Sequence, residues 1–573
     1  MSDSVPYTVS FNGTNETELL DVMRGASQLV ALQDKSPRTL KGVERRANDD
    51  AERFTEILRS KGFYAGSVDA AVTRTDHGAE VSVRVEPDVV YLIGDVVIEY
   101  GESPPPEDLQ PAPDELGLHI GDYAEADKVI AAETALITHF KERGYPEARA
   151  AKRRVTVDHS SQTMTVYYRL ETGPSVTYGA TRFKDSATVK ASYLNKLVPW
   201  QIGDTYKASQ VEAFRRRLRE TGLFGSVSIE FEGIDASQRT PIDEAPVVVS
   251  LSDAAQRAVG AGADYSTSTG PGVKVFWEHR NALSEAETVR VSASANTVEQ
   301  TLVTDFRKPE FIVGNQDLVS RAALEREDSD AYESVGIDTR LGFERRSGKI
   351  WKTGVFASAE FSEVSRDDDE QLVKLVGLPV YLERDTTDSL LDPAQGTRLG
   401  LYATPYAGHG DKALAFGVIE ARASGYVALD DDRDVVLAGR SRIGSIVGES
   451  RDDLPADKRF YAGGGGSVRG YGFRLAGPLD TNNDPEGGRS TIELGAELRL
   501  KVSESIGFVP FLEGGGAQAG LLPTSLDDLL WAAGLGFRYF TPIGPIRLDV
   551  AAPLDRRDVD DPFQFYVSIG QAF

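Results

Sequence analysis

Val289-Arg290-Val291-Ser292-Ala293-Ser294-Ala295-Asn296 alternates strictly between apolar and polar side chains. Successive residues of a β-strand point to opposite faces, so Val and Ala would share one face while Arg, Ser and Asn share the other. The same alternation recurs along the C-terminal part of the chain, at residues 351–362, 398–405, 492–500, 531–539 and 546–551. The pattern predicts a series of strands, each with one apolar and one polar face.

The number and length of these segments indicate the kind of β-structure. Between Arg257 and Phe573 the sequence offers sixteen candidate strands, mostly of about 9–16 residues. Strands in globular proteins usually have about 5–6 residues, whereas a membrane-spanning strand needs roughly 9–11. Bacterial barrels also have an even number of strands. Residues 255–573 are therefore predicted to form an antiparallel 16-stranded transmembrane β-barrel.

Charged side chains occupy the polar face of these strands. A soluble sandwich would pack its apolar faces together, whereas a membrane barrel turns them to lipid and its charges to the lumen. Alternation alone does not separate the two architectures, and strand number and length favour the barrel. The charges expected in the lumen are Arg290, Glu493, Glu497, Arg499, Arg538, Arg547 and Asp549.

The last predicted strand, residues 563–573, ends on an aromatic residue. A terminal aromatic resembles the C-terminal assembly signal of outer-membrane barrels, although an ordinary edge strand is the alternative. Gly570 lies within this strand and could let it kink inward. Alternation puts one apolar set on a single face: Phe563, Phe565, Val567, Ile569 and Phe573.

The N-terminal part contains a repeat. Gly62-Phe63-Tyr64, Gly144-Tyr145-Pro146 and Gly222-Leu223-Phe224 are spaced by 144 − 62 = 82 and 222 − 144 = 78 residues. Each glycine follows a helix-like stretch, at 51–61, 127–143 and 209–221, and glycine is the usual left-handed end of a helix. Ile120-Gly121-Asp122 recurs as Ile202-Gly203-Asp204, whereas residues 35–42 of the first unit are predicted to be a loop.

These repeats predict three α+β modules, at residues 1–88, 89–174 and 175–254, each built as strand, helices, strand, strand. Modules of this size can fold alone. Their sheet edges could accept a strand from another protein by β-augmentation, and the alternative is that they are spacers.

Composition excludes several functions. The net charge of −26 disfavours nucleic acid as a partner, and the absence of cysteine excludes a disulfide or a thiol nucleophile. We find no phosphate loop and no zinc-protease or serine-hydrolase motif, and the six histidines are scattered. We therefore expect no enzyme, no cofactor and no metal. Residues 1–7 lack the basic and apolar regions of a signal peptide, so we expect that such a peptide is absent from the chain shown.

One long connection, residues 448–489, lacks alternation and contains Val468-Arg469-Gly470-Tyr471. This tetrapeptide matches the V-R-G-F/Y motif of the outer-membrane insertase superfamily that includes BamA and TamA. Phe511-Leu512-Glu513-Gly514-Gly515 resembles that family's F-x-D-x-G motif, with Glu in place of Asp, and residues 534–549 resemble its closing G-x-G-x-R-x-x-T-P-x-G-P-x-R-x-D stretch. The resemblance implies that the N-terminal modules are POTRA-like, that the loop folds into the lumen, and that Arg469 pairs there with Glu513 beside Phe511.

The resemblance also implies a function. Three POTRA-like modules before sixteen strands is the TamA arrangement. We therefore expect an outer-membrane factor that assists the insertion or secretion of β-barrel or autotransporter proteins, or envelope lipid transport. Its seam would lie between a first strand at residues 258–267 and the last strand.

The implied partners are client outer-membrane proteins, outer-membrane lipids and lipopolysaccharide, and a TamB-like protein anchored in the inner membrane, which the modules would meet in the periplasm. The alternatives are a two-partner-secretion pore, which should have two POTRA modules and a plug helix, and a porin or barrel enzyme.

Overall fold

The computed structural model describes residues 4–101, 104–186, 188–234, 240–366, 369–523, 528–541 and 546–569. The chain divides into two compact units. One comprises Met1–Asp185, Leu197–Glu220 and Ser226–Leu251, and the other comprises Ser186–Lys196, Thr221–Gly225 and Ser252–Phe573.

The first module packs helices on a three-stranded sheet. Its elements are β1 (Tyr7–Asn12), α1 (Thr17–Ala26), α2 (Gln28–Ala31), α3 (Leu40–Ser60), β2 (Ser67–Thr75) and β3 (Gly78–Glu86). The strand order is β1-β3-β2, with β1 parallel to β3. Val43, Ala47, Phe54 and Leu58 form a buried stripe along α3, because residues three or four apart share a helix face.

The start of α3 differs from the prediction. We expected the helix from residue 51 and a loop over residues 35–42, but α3 begins at Leu40. The Thr39 side chain accepts a hydrogen bond from the Gly42 backbone N–H and caps the helix there. The sequence of this part of the helix is rich in charged residues, at 44–46 and 49–50, so the pattern of apolar residues that continues through Val43 and Ala47 was not recognised as helical.

The second and third modules repeat the plan. The second has β4 (Leu92–Tyr100), α4 (Ala126–Lys141), β5 (Arg149–Ala150), β6 (Arg154–Asp158) and β7 (Thr163–Glu171). The third has β8 (Val176–Lys184), α5 (Ala191–Leu197), α6 (Ala208–Glu220), β9 (Phe224–Phe231) and β10 (Ile242–Asp253). In both, the first strand pairs in parallel with the last, β4 with β7 and β8 with β10. The three sheets fall inside the predicted module ranges, and the boundaries themselves stay a prediction.

The repeated glycines have repeated roles. Gly62, Gly144 and Gly222 all have positive φ, at 93°, 101° and 68°, as expected for glycine after a helix. The Gly62 carbonyl accepts a hydrogen bond from Tyr91 N (2.9 Å), and the Gly144 carbonyl accepts one from Val176 N (2.7 Å). Each of these two glycines thus connects the end of a helix to the next module, at the residue before β4 in one case and at the first residue of β8 in the other.

The C-terminal unit is a closed antiparallel barrel. Its strands are β11 (Arg257–Ser266), β12 (Gly270–His279), β13 (Thr288–Ala295), β14 (Glu299–Lys308), β15 (Gln316–Ser329), β16 (Tyr332–Ser347), β17 (Trp351–Arg366), β18 (Asp369–Gly377), β19 (Val380–Asp385), β20 (Gly396–His409), β21 (Ala413–Ala428), β22 (Val435–Val447), β23 (Ser490–Lys501), β24 (Ile506–Gln518), β25 (Leu530–Tyr539), β26 (Ile546–Pro553) and β27 (Gln564–Ile569). Both β18 and β19 pair with β17 and β20, so these two strands occupy one position in the barrel wall. The seventeen strands therefore form the predicted 16-stranded barrel.

The two faces of the barrel wall have opposite chemistry. Large apolar side chains point outward and are exposed, among them Val259, Leu302, Leu324, Leu341, Leu401, Leu437 and Leu535. Charged side chains on the inner face are mostly paired across strands, such as Arg307 with Asp317 and Arg442 with Glu493. This arrangement suits an apolar surrounding and a polar lumen. Among the helices of the described residues, none is long and apolar enough to cross a membrane.

A charge on the outward face should therefore destabilise the barrel. Leu302, at the middle of β14, is 45% exposed on that face. We expect Leu302→Arg to lower the free energy of unfolding in lipid vesicles by about 2–4 kcal/mol, the cost of a cation near the bilayer midplane. Ser292→Arg, on the polar face of β13, is the control and should cost much less. Equal losses in urea titrations of the two variants would contradict the assignment of faces.

Candidate functional site

The long connection between β22 and β23 folds into the barrel. Residues 448–489 leave β22 after Val447 and return at Ser490. Near their base, Phe460 and Gly488 exchange two backbone hydrogen bonds of 2.8 Å. Beyond this bridge the loop contacts side chains of the inner wall, which places Val468 to Tyr471 inside the lumen.

Arg469 is the centre of the loop's contacts, and it is only 1% exposed. Its Nε and Nη2 donate to Glu513 Oε1 at 3.0 and 2.7 Å, and its backbone N–H donates to Glu513 Oε2 at 2.8 Å. Its Nη1 donates to Asp549 Oδ2 at 2.8 Å, and Nη2 also donates to Glu497 Oε1 at 2.7 Å. Three carboxylates from β23, β24 and β26 thus surround one guanidinium.

Further arginines balance these carboxylates. Arg440 Nη2 lies 2.9 Å from Glu513 Oε1, and Arg538 and Arg547 both pair with Asp549. Charges this deeply buried are tolerated only when their partners compensate for lost hydration. The network therefore connects the loop to strands β22 through β26. Removal of any one member would leave a buried charge without compensation.

Packing around Arg469 fixes the rest of the motif. The guanidinium carbon lies 3.5 Å from the centroid of the Phe511 ring, a cation–π contact. Tyr471 is buried and donates from its hydroxyl to the Trp531 carbonyl at 3.0 Å. Gly470 has φ of +109°, and a Cβ there would come within 2.7 Å of the Ala532 Cβ. Glycine is thus favoured at this position for two reasons: the positive φ, and the lack of space for a Cβ atom.

A second anchor lies on another part of the wall. Arg474 Nη2 donates to Glu327 Oε2 of β15 at 2.6 Å, and its guanidinium carbon lies 4.5 Å from the Tyr332 ring and 4.7 Å from the Tyr461 ring. Lys458 pairs with Glu360 of β17. Because one anchor is on β23–β26 and the other on β15–β17, the loop is tied to two separated parts of the barrel wall.

The seam between the first and last strands is weakly paired. In the described residues, β11 and β27 share two residue pairs, Tyr265 with Val567 and Ser266 with Tyr566, the shortest ladder of the barrel. The neighbouring ladders have ten pairs, between β11 and β12, and six, between β26 and β27. Beyond the ladder, Thr267 N donates to the Phe565 carbonyl at 3.0 Å, and Phe565 N donates to Thr267 Oγ1 at 3.1 Å.

The predicted C-terminal residues are only partly described. Gln564 and Tyr566 are buried on the inner face, which puts Phe565 and Val567 on the outer face. Phe563 is exposed and precedes β27, so the strand begins one residue later than predicted. Ile569 pairs with Ile546 through its backbone. Gly570 and Phe573, together with the Ile569 side chain, lie outside the described residues.

The structure brings together Arg469, Glu513 and Phe511, which the motifs had suggested. Sequence reasoning named Glu513 as the partner and missed Glu497, Asp549 and Arg440. A signal was available for two of them, because Glu497 and Asp549 belong to the predicted polar face. Which polar-face charges converge depends on the register between strands, and alternation does not encode it.

Loss of the central guanidinium should release the loop. We expect Arg469→Ala to lower the free energy of unfolding by about 3–5 kcal/mol, because it leaves Glu513, Glu497 and Asp549 buried with too few cations. Limited proteolysis in intact vesicles should then cut within residues 448–489. Arg451→Ala is the matched control: Arg451 lies in the same loop, and its two ion-pair partners, Asp452 and Glu486, are 81% and 27% exposed. That control should change the free energy by about 0–1 kcal/mol. Equal protease resistance of Arg469→Ala and the unsubstituted protein would contradict the role given to Arg469.

Comparisons with known proteins agree with this architecture. The Omp85 superfamily domain matches residues 281–573. The outer membrane protein assembly factor BamA of Nitratidesulfovibrio vulgaris is 26% identical over 389 residues, which are 65% of this chain and 48% of that protein. BamA of Neisseria meningitidis serogroup B is 24% identical over 223 residues, or 33% of this chain and 28% of that protein. The aligned parts thus cover less than half of either relative.

A solved structure shows the same fold. BamA from Haemophilus ducreyi lacking POTRA domains 1–3 superposes with a TM-score of 0.70 at 15% sequence identity, and the match covers 84% of this chain and 100% of that one. The superfamily match covers more than half of the 573 residues. The protein lies in the outer membrane, with its POTRA-like modules in the periplasm, and the chain belongs to the Omp85 superfamily.

Proposed function

We propose that this protein assists the insertion of other β-barrel or autotransporter proteins into the outer membrane through the seam between β11 and β27. The proposal rests on the short ladder at that seam, which has two residue pairs among the described residues. In a membrane, backbone groups must be paired within the protein, and a barrel normally achieves this by complete closure. A seam with so few pairs can open at low cost and offer its edge to a client strand.

The barrel wall is also short beside the seam. On the first-strand side of the seam, β11, β12, β13 and β14 have ten, ten, eight and ten residues, whereas β16, β17 and β21 have 16 each. A short apolar wall is accommodated by thinning of the adjacent bilayer. Thinner lipid beside the seam would lower the barrier to insertion of a client strand, which supports protein insertion as the use of this seam.

The modules supply sheet edges for partners. In the first module β1 and β2 are the outer strands, and in the third module β8 and β9 are. Strand edges can pair with an extended segment of another protein. On this basis and on the resemblance to TamA, the modules receive client proteins in the periplasm and bind a TamB-like protein anchored in the inner membrane. Outer-membrane lipids and lipopolysaccharide surround the outward-facing apolar side chains of the barrel wall.

A disulfide across the seam tests the proposal. Tyr265→Cys and Val567→Cys place two thiols on directly paired residues of a chain that has no cysteine. Paired residues in antiparallel strands have Cα atoms about 4.5–5.5 Å apart, within the range of a disulfide. The readout is the folding of a urea-unfolded outer-membrane protein into vesicles that contain the oxidised or the reduced variant. We expect oxidation to abolish the acceleration and reduction to restore it.

The control pair joins β27 to its other neighbour. Val550→Cys and Phe565→Cys also lie on paired residues, and their disulfide leaves the seam free. Its oxidation should leave the acceleration intact. Full activity of the oxidised seam pair would refute insertion through the seam and would favour passage of a substrate through the lumen, as in a secretion pore. A parallel assay of phospholipid transfer between vesicles would show whether the seam serves lipids instead.

A further inference from the structure

Tyr566 of the last strand contacts the lumen loop. The residue is 6% exposed, and its ring lies directly over Gly465. A Cβ on Gly465 would come within 2.9 Å of both Cδ1 and Cε1 of the Tyr566 ring. The ring therefore fills the space that a side chain at position 465 would need.

The four consecutive glycines of the loop have different requirements. Gly463 and Gly464 have φ of +106° and +101°, so their conformation favours glycine. Gly465 and Gly466 are not in that region of φ, and a Cβ on Gly466 would meet nothing within 4 Å. Gly465 is thus a glycine whose substitution is opposed by the Tyr566 ring and not by its own backbone.

The loop segment under the ring is held in place. Gly463 N donates to Ser467 Oγ at 3.0 Å, and Ser467 N donates to the Gly464 carbonyl at 3.1 Å. Arg440 donates to the carbonyls of Gly466 and Ser467. Because Arg469 follows two residues later, the seat for the Tyr566 ring is fixed by the same network that holds the loop.

We infer that Tyr566 and Gly465 form a latch, by which the lumen loop holds the last strand in the closed seam. Among the described residues β27 has two residue pairs on its seam side, so the buried ring adds substantially to what retains the strand there. The seam opens when the ring leaves Gly465. The consequence for client insertion rests on the proposed function, whereas the latch itself concerns the closure of the seam.

The surroundings of the ring allow it to move. A lumen cavity of about 700 Å³ borders Tyr566, Gly465 and Gly466, and on the first strand it borders Asp264 and Ser266. The Tyr566 hydroxyl is buried, and its polar neighbours are the Gly470 backbone and the Ser268 side chain. The contact of the ring with Gly465 is a packing contact, and space for displacement of the ring lies beside it.

The test measures seam closure without any client. In the Tyr265→Cys, Val567→Cys background, the rate of disulfide formation in vesicles reports how often the seam is closed. Gly465→Ala should slow it at least about fivefold, since the added methyl expels the ring from a filled site. Gly466→Ala, the adjacent control with open space, should leave the rate unchanged. Equal rates in the two variants would overturn the latch.

A second pair of variants covers the case in which Gly465→Ala does not assemble. Tyr566→Phe keeps the ring and should match the unsubstituted rate, whereas Tyr566→Ala should slow disulfide formation as Gly465→Ala does. Equal rates for Phe and Ala would also overturn the latch. Client insertion is then measured separately: slowed closure in Gly465→Ala together with insertion insensitive to the seam disulfide would retain the latch and refute the proposed function.

Discussion

A guanidinium stays charged inside a barrel, so its burial is tolerated only if carboxylates replace the water that it has lost. Arg469 meets this constraint with Glu513, Glu497 and Asp549, which come from three different strands. The positions of those strands and of the loop are therefore not independent. A loop of 42 residues, 448–489, that would otherwise be mobile becomes part of the wall's ion-pair network, and the remaining features of the lumen follow from where this network holds it.

The ion-pair network around Arg469 is connected to the seam through the loop segment that contacts Tyr566. Arg469 and Arg440 hold the loop segment on which the Tyr566 ring rests. Tyr566 belongs to β27, which shares two residue pairs with β11 among the described residues. Strand pairing closes most of the barrel, whereas the proposed latch adds side-chain packing on the loop to the short ladder of the seam. The proposed function requires such a combination, in which the wall is stable and the seam can open.

Much of the architecture could be predicted from periodicity, since alternation gave the strands and the glycine spacing gave the three modules. The paired Arg469 and Glu513 came from resemblance. The sequence did not indicate that one strand is interrupted between β18 and β19, where Pro379 has no N–H for the ladder. It also could not indicate the two-pair seam or the contact between Tyr566 and Gly465, because both depend on register and on packing between residues about 100 or 300 positions apart.

Ion conductance in planar bilayers tests most directly whether Arg469 keeps the loop inside the lumen, because a loop in the lumen obstructs current and a released loop does not. We expect small, intermittent currents for the unsubstituted protein and large, steady currents for Arg469→Ala. Large, steady currents from the unsubstituted protein, or small currents from both, would show that Arg469 does not hold the loop in the lumen.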